Sequence, residues 1–240
     1  EQEREALFSG QIPELLKPYS AKIANYGAVT EGRLPLFRER VRYLLKIYPK
    51  PPGEINFLDI GASSGYMVQA AVEAGMQARG IEPGLSGIQE ARKRGIYLDQ
   101  GRAEHLIYPD NSFDIVHSHH VFEHVAYPML AAREAYRVLK PGGIFFLEVP
   151  NQFDNIRFYR DSIFGRVSQR YRDIRCIHHL SFFSKKSLKC LLRMSGFIHL
   201  KVDSYYTVKP KGLGLIPGYL TMILGLIYLG GERLIGIATK

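Results

Sequence analysis

Cysteine is scarce in this chain of 240 residues. Only Cys176 and Cys190 are present. They do not form a metal-ligand spacing, and they fit a reducing, cytoplasmic setting. Acids are outnumbered: 23 Asp and Glu stand against 32 Lys and Arg, for a formal charge of +9. That balance admits anionic partners without naming one. The excess is partly local, because six arginines and only two acids, Asp161 and Asp173, fall between Arg157 and Arg175. This stretch reads either as a solvated surface or as a basic cap over an anionic substrate or a membrane surface. The first residues contain no apolar signal-peptide core, and the chain starts at Glu1 rather than Met, which suggests a trimmed chain or a fragment. There is no internal repeat and no low-complexity tract. Charge is missing altogether from Gly212 to Gly231, a length that approaches a membrane span. Six glycines and Pro217 interrupt that segment, and only Tyr219 to Leu229 reads as uninterrupted helix, too short to cross a bilayer. The expectation is a buried or capping helix, with peripheral membrane or lipid contact as the alternative.

What is present is enough for one large core or a core with an added cap, since 46% of the residues are hydrophobic. Leu34 to Tyr48 carries apolar residues at helical spacing, and Pro51-Pro52-Gly53 closes this first region. Strands and helices then alternate. Strands are expected at Ile55 to Ile60, Ala78 to Glu82, Ile96 to Asp99, Phe113 to Ser118 and Ile144 to Val149. Helices are expected at Ser64 to Ala74, Leu85 to Arg94 and Pro128 to Leu139, the last one stopping at Lys140-Pro141-Gly142-Gly143. Such alternation implies an α/β fold with a parallel sheet covered on both faces and right-handed connections. Lys185 to Ser195 restarts a helix, and Phe197 to Val208 and Arg233 to Ala238 read as strands. Residues 1–53 therefore form a helical extension or cap and 54–240 the main domain. Residues 150–183 and 209–231 stand in it as cap or substrate-side insertions.

The segment from Phe57 to Tyr66 carries most of the functional information. An apolar run reaches Asp59, a turn follows with Gly61 and Gly65, and a helical pattern starts. The glycines let the backbone turn sharply and approach a ligand, and the helix N-terminus offers amide groups to it. Glu82, at the end of the second strand, can accept both ribose hydroxyl hydrogens of a nucleotide-like ligand. Two details select among such ligands. The turn lacks the third glycine of a pyrophosphate-binding loop. A carboxylate at Asp59 repels pyrophosphate and suits the cationic amino-acid end of S-adenosylmethionine, directly or through water; its alternative role is to tie the loop by accepting backbone amides.

These residues resemble the class I S-adenosylmethionine-dependent methyltransferases, a likeness that covers roughly residues 55–150 and continues more weakly through 178–200. Phe57 to Gly65 is similar to the family's first motif and Ile81-Glu82-Pro83 to its second. Gly101 to Leu106, followed by Pro109 to Asp114, is similar to its adenine loop and fourth strand. Leu139 to Gly143 is similar to its turn into the fifth strand. The resemblance implies a Rossmann-like, seven-stranded, mostly parallel sheet with an antiparallel last strand. It implies S-adenosyl-L-methionine as donor, S-adenosyl-L-homocysteine as product, and donor contacts from Asp59, Gly61, Ala62, Ser63, Gly65, Tyr66, Glu82 and Pro83. Further contacts fall on Arg102, Ala103, Glu104, Ser118 and His119. Many relatives carry an acid where Arg102 stands. Arg102 cannot accept a hydrogen bond from the adenine amino group, which leaves Glu104 or the backbone near Ala103 for that task.

Phe113 to Val125 is similar to the segment beneath the methyl donor in a branch that includes the ubiquinone-pathway O-methyltransferases. In that branch an acid at the position of His120 joins Glu123 and His124 near a divalent metal. With histidine in that place, a hydrogen-bonded pair at a helix start is the expected role and no metal is assigned, although imidazole and carboxylate could ligate one. His179, then His178, His120 and His119 are the candidates for a base that takes the acceptor's proton. Asn151, Phe153, Phe158 and Tyr159 are candidates for the acceptor wall, or for packing of the cap. The aromatic cap and the apolar segment point to a small hydrophobic, lipid-linked or sugar-like acceptor, methylated at a hydroxyl oxygen. The residues after the fourth strand, His119 to Phe122, carry no amino-methylating signature, and the arginines form no RNA-binding module, both of which speak against nucleic acid. The competing functions are a non-catalytic donor-binding protein on the same scaffold, an RNA-directed methyltransferase and a nicotinamide-dependent oxidoreductase.

Overall fold

The computed structural model describes residues 32–151, 179–205 and 233–240. The expectations for residues 1–31, for the basic aromatic stretch with Phe153, Phe158, Tyr159 and His178, and for Gly212 to Gly231 lie outside the described residues. Among the described residues seven strands are found, in the sheet order β3-β2-β1-β4-β5-β7-β6. The chain divides into two compact units, one ending at Arg102 and the other beginning at Ala103.

The first unit contains α1 (Leu34–Ile47), a 3-10 turn (Pro52–Glu54), β1 (Asn56–Ile60), α2 (Tyr66–Glu73), β2 (Gln77–Glu82), α3 (Leu85–Lys93) and β3 (Asp99–Gln100). α1 buries Phe37, Val41 and Leu44, the one-sided stripe expected from their spacing. β1 pairs in parallel with β2, from Asn56 opposite Gln77 to Ile60 opposite Ile81. Phe57, Leu58 and Ile60 are fully enclosed, which is why this strand is a continuous apolar run. α2 begins two residues later than the pattern suggests, because Ser63 and Gly65 hold the left-handed conformation, at φ 50° and 77°, and no helix continues through them. β3 also differs from expectation. The Ile96 amide donates to the Ala91 carbonyl and caps α3, so only Asp99 and Gln100 are left to pair with β2.

The second unit contains β4 (Phe113–His119), α4 (Pro128–Val138), β5 (Leu139–Pro150), α5 (Lys185–Met194), β6 (Ile198–Tyr205) and β7 (Arg233–Thr239). β4 and β5 run parallel, and β7 lies antiparallel between β5 and β6. The turn expected at Lys140 to Gly143 is absorbed into β5 as an irregularity. Pairing jumps from Phe113–Leu139 to Ile115–Ile144. Gly142 and Gly143 are stitched instead to Lys240, at 3.0 Å in both directions. α5 starts with a reciprocal cap, Ser187 N–H to Ser184 Oγ at 3.2 Å and Ser184 N–H to Ser187 Oγ at 2.9 Å. It buries Leu188, Leu191 and Leu192. Among the described residues no helix is long and apolar enough to cross a membrane.

Candidate active site

In the first unit, β1 delivers Asp59, 4% exposed, to the mouth of the turn. The turn then uses up its own donors. Gly61 and Ala62 N–H both donate to the Ile81 carbonyl, at 2.9 and 3.0 Å, and Gly65 N–H donates to the Ala62 carbonyl at 2.8 Å. Ser63 N–H donates to Glu82 Oε2 at 2.8 Å, while Gly84 N–H donates to Glu82 Oε1 at 2.9 Å. Four of the five amides from Gly61 to Gly65 are thus engaged within the protein. Of the helix-start amides expected to face the ligand, that of Gly65 is engaged. The amides without an intrahelical acceptor are those of the first turn of α2, from Tyr66 onward.

Burial raises the Glu82 carboxyl above its ordinary range; the neighbouring Asp59 charge adds to the effect, and the two amides oppose it. The turn therefore offers a ligand two enclosed carboxylates and few donors. Ala62 and Tyr66 are buried, Ser63 is half-buried, and Pro83 is exposed at the start of α3. Gly101 N–H is tied to the Glu82 carbonyl at 3.2 Å, which brings the strand leading to Arg102 beside β2.

In the second unit, Ala103 is buried, and Glu104 Oε1 accepts from Ala126 N–H at 3.1 Å. The loop after it is held by α4. Arg137 donates to the carbonyls of Leu106 and Tyr108 at 2.9 and 2.8 Å, and Glu134 accepts from Leu106 N–H at 2.8 Å. At the end of β4, Ser118 is fully buried and its Oγ has no hydrogen-bond partner among the described residues.

A cluster of ionisable groups follows. His120 sits at φ 56°, an uncommon conformation for a residue with a side chain. Its Nδ1 lies 2.9 Å from Glu123 Oε1 and its Nε2 3.5 Å from Glu148 Oε1. Glu148 Oε1 also receives Arg233 Nη1 at 2.7 Å and lies 3.2 Å from His119 Nε2. Burial pushes the His120 imidazolium toward losing its proton, but the hydrogen bond to Glu123 and the charges of Glu123 and Glu148 outweigh it and raise the pKa overall. His120 thus sits beside two enclosed carboxylates that favour its charged form.

His179 meets His124 edge-on, with ring centroids 4.8 Å apart. Leu180 and Ser181 N–H both donate to the Glu123 carbonyl, at 2.7 and 3.1 Å, hanging this segment on the same corner. Asn151, 2% exposed, bridges to Phe183. The structure therefore brings His119, His120, Glu123, His124 and His179 into one neighbourhood. Glu123, His124 and His179 offer ligand atoms within 4.8 Å of one another, as do His119, His120 and Glu148. Arg233 disfavours a cation in the second group, because its guanidinium already neutralises Glu148 and faces His119 Nε2 at 3.2 Å.

Glu148 and Arg233 are the site residues that sequence reading missed. The signal for Glu148 was a lone acid within Ile144 to Val149, an otherwise apolar strand. Arg233 gave none, because its partner stands 85 residues earlier.

Comparison with known proteins is decisive at this point. A methyltransferase domain family matches residues 32–202. The chain belongs to the class I S-adenosylmethionine-dependent methyltransferases. An uncharacterized methyltransferase of Mycobacterium leprae is 34% identical over 110 residues, 43% of this chain and 40% of that protein. YcgJ of Bacillus subtilis, likewise an uncharacterized methyltransferase, is 35% identical over 101 residues, 39% of this chain and 40% of that one. The chain thus spans about two fifths of the length of these curated relatives. Among solved structures, a Thermotoga maritima S-adenosylmethionine-dependent methyltransferase matches with a TM-score of 0.61 at 24% identity, covering 91% of this chain and 99% of that one. Phosphoethanolamine N-methyltransferase 2 of Haemonchus contortus, solved in complex with S-adenosyl-L-methionine, matches at 0.59 and 20%, covering 84% and 52%. These structures share the fold.

Proposed function

We propose that this methyltransferase moves a methyl group from S-adenosylmethionine to a hydroxyl oxygen of a small hydrophobic, lipid-linked or sugar-like acceptor. The observation that carries the donor assignment is the internally satisfied turn. A pyrophosphate needs amide donors, and here four of five are taken by Ile81, Ala62 and Glu82. A cationic ammonium needs acceptors, and Asp59 with the turn carbonyls supplies them; Glu82 retains lone pairs for the ribose hydroxyls. Asp59, Gly61 to Tyr66, Glu82 and Pro83 are the donor contacts in this reading. The likeness to the family assigns adenine contacts to Arg102, Ala103 and Glu104, and contacts near the methyl to Ser118 and His119.

Once bound, S-adenosylmethionine supplies an electron-poor methyl group whose bond to sulfur breaks as the acceptor oxygen attacks in line. The protein contributes alignment and a water-poor setting. His179 takes the acceptor's proton, with His178 as its neighbour in sequence. His120 instead pairs through Nδ1 with Glu123 and ties the corner together. The aromatic and apolar residues that the sequence carries in 150–183 and 209–231 support a hydrophobic acceptor. Titration calorimetry with S-adenosylmethionine and S-adenosylhomocysteine tests the donor, and absence of binding to either by folded protein refutes it. Release of S-adenosylhomocysteine over a panel of phenols, prenyl-linked sugars and polar alcohols tests the acceptor class. Turnover confined to RNA would overturn that part alone.

A further inference from the structure

α3 turns one face toward the donor turn. Gly87, Ala91 and Arg94 recur at spacings of four and three, the same side of a helix, and each meets a different part of the turn. A Cβ on Gly87 would stand 2.6 Å from the Ser63 carbonyl oxygen, so the helix backbone comes as close to the turn as glycine permits. A Cβ on Gly65 would stand 3.2 Å from the Ala91 methyl. Arg94 completes the row. Its guanidinium donates to the Ser64 carbonyl and lies 3.9 Å from the centroid of the Tyr66 ring. The Ser64–Gly65 peptide is consequently gripped from both sides, its carbonyl by Arg94 and its N–H by the Ala62 carbonyl at 2.8 Å. This grip has a cost. Arg94 Nε and Nη1 are buried without a hydrogen-bond partner among the described residues, a burden that an apolar side chain of the same volume would avoid.

We propose that the Gly87–Ala91–Arg94 face of α3 is a positioning element for the methyl donor. In it, Arg94 fixes the orientation of the Ser64–Gly65 peptide without touching the donor. Gly65 adopts a positive φ that leaves its peptide free to flip once the carbonyl is released. A flipped peptide sets its N–H against the Arg94 guanidinium and its carbonyl against that of Ala62, which deforms the turn that the donor occupies. The inference rests on the reading that the donor binds at this turn.

Calorimetry with S-adenosylmethionine and S-adenosylhomocysteine, together with amide exchange across residues 61–66, separates positioning from mere packing. Arg94→Met should bind both ligands about tenfold more weakly, the scale of one charge-assisted hydrogen bond, with faster exchange in the turn. Arg94→Lys should recover part of that loss. Gly87→Ala, which drives the Ser63 carbonyl outward, should weaken both ligands in the same direction if Arg94→Met does not fold. Leu188→Ala, a core truncation in the other unit, controls for lowered stability and should bind like wild type. Wild-type-like affinity in Arg94→Met, or in Gly87→Ala where the former does not fold, overturns the inference while leaving the donor assignment intact. An equal loss in Leu188→Ala does the same. Failure of the wild type to bind either ligand overturns both.

Discussion

Replacing Glu82 by Gln tests the electrostatics of the donor turn directly. The carboxylate accepts Ser63 N–H at 2.8 Å and Gly84 N–H at 2.9 Å, one on each oxygen. Gln offers one oxygen and one amino group, so one of the two backbone donors must face another donor. An unpaired buried N–H costs about 1–3 kcal/mol. Against this, Gln removes a buried negative charge that faces Asp59, the arrangement that raises the Glu82 pKa. The two effects oppose each other, and the net stability change near neutrality should stay within about 1 kcal/mol. Donor affinity has no such compensation. Hydrogen bonds to a charged acceptor are worth about 1.5–3 kcal/mol, so losing that acceptor for the ribose hydroxyls should weaken binding by roughly 10- to 100-fold. The pH dependence follows from the same group. A carboxylate whose folded pKa is raised makes a stability contribution that is full below its unfolded value and lost as pH rises through the folded value. Wild type should therefore gain stability relative to Glu82→Gln on acidification from neutrality. Its donor affinity should fall over the same interval, above the usual carboxylate range. Calorimetry from pH 7.5 downward, paired with urea unfolding of both proteins, reads both quantities. A Glu82→Gln protein that binds the donor within twofold of wild type would refute the reasoning.

Four further outcomes are expected. Arg233→Met leaves Glu148, fully buried, without its guanidinium and should destabilise the fold by about 3 kcal/mol in urea titration; the double variant Arg233→Met, Glu148→Gln should regain part of that. Gly65→Ala combines a φ of 77° with a Cβ 2.9 Å from Ile96 Cγ2, and should cost more than about 2 kcal/mol by the same measurement. His120→Gln should remove a pH effect of opposite sense to that of a paired acid. The raised His120 pKa means that its stabilisation is full below about pH 6.5 and fades as pH rises through the folded value, so the variant's stability should be flatter across that interval. Arg137→Met frees the carbonyls of Leu106 and Tyr108 and should speed amide exchange across residues 104–110 while α5 stays protected.

The sheet was legible because its strands follow rules with a short memory. A run such as Phe57 to Ile60, apolar at nearly every position, is enclosed on both faces whatever the rest of the chain does. The readings that slipped were decided by longer reach. Ile96 belonged to a strand by pattern, yet its amide completes α3 and its side chain fills the space beside Gly65. Lys140 to Gly143 have turn chemistry, and Lys240 at the far end of the chain draws them into a strand. The turn after β1 could be read for the same reason as the sheet, since Asp59, Gly61 and Gly65 lie within seven residues and Glu82 ends the adjacent strand. The histidine corner could not, because its chemistry is set by Glu148 and Arg233, which reach His120 and His119 from β5 and β7. His120 shows the consequence most clearly. As a residue in sequence it is a candidate base with an ordinary imidazole; in the fold its imidazole is tuned by a carboxylate from β5 that no local pattern ties to it.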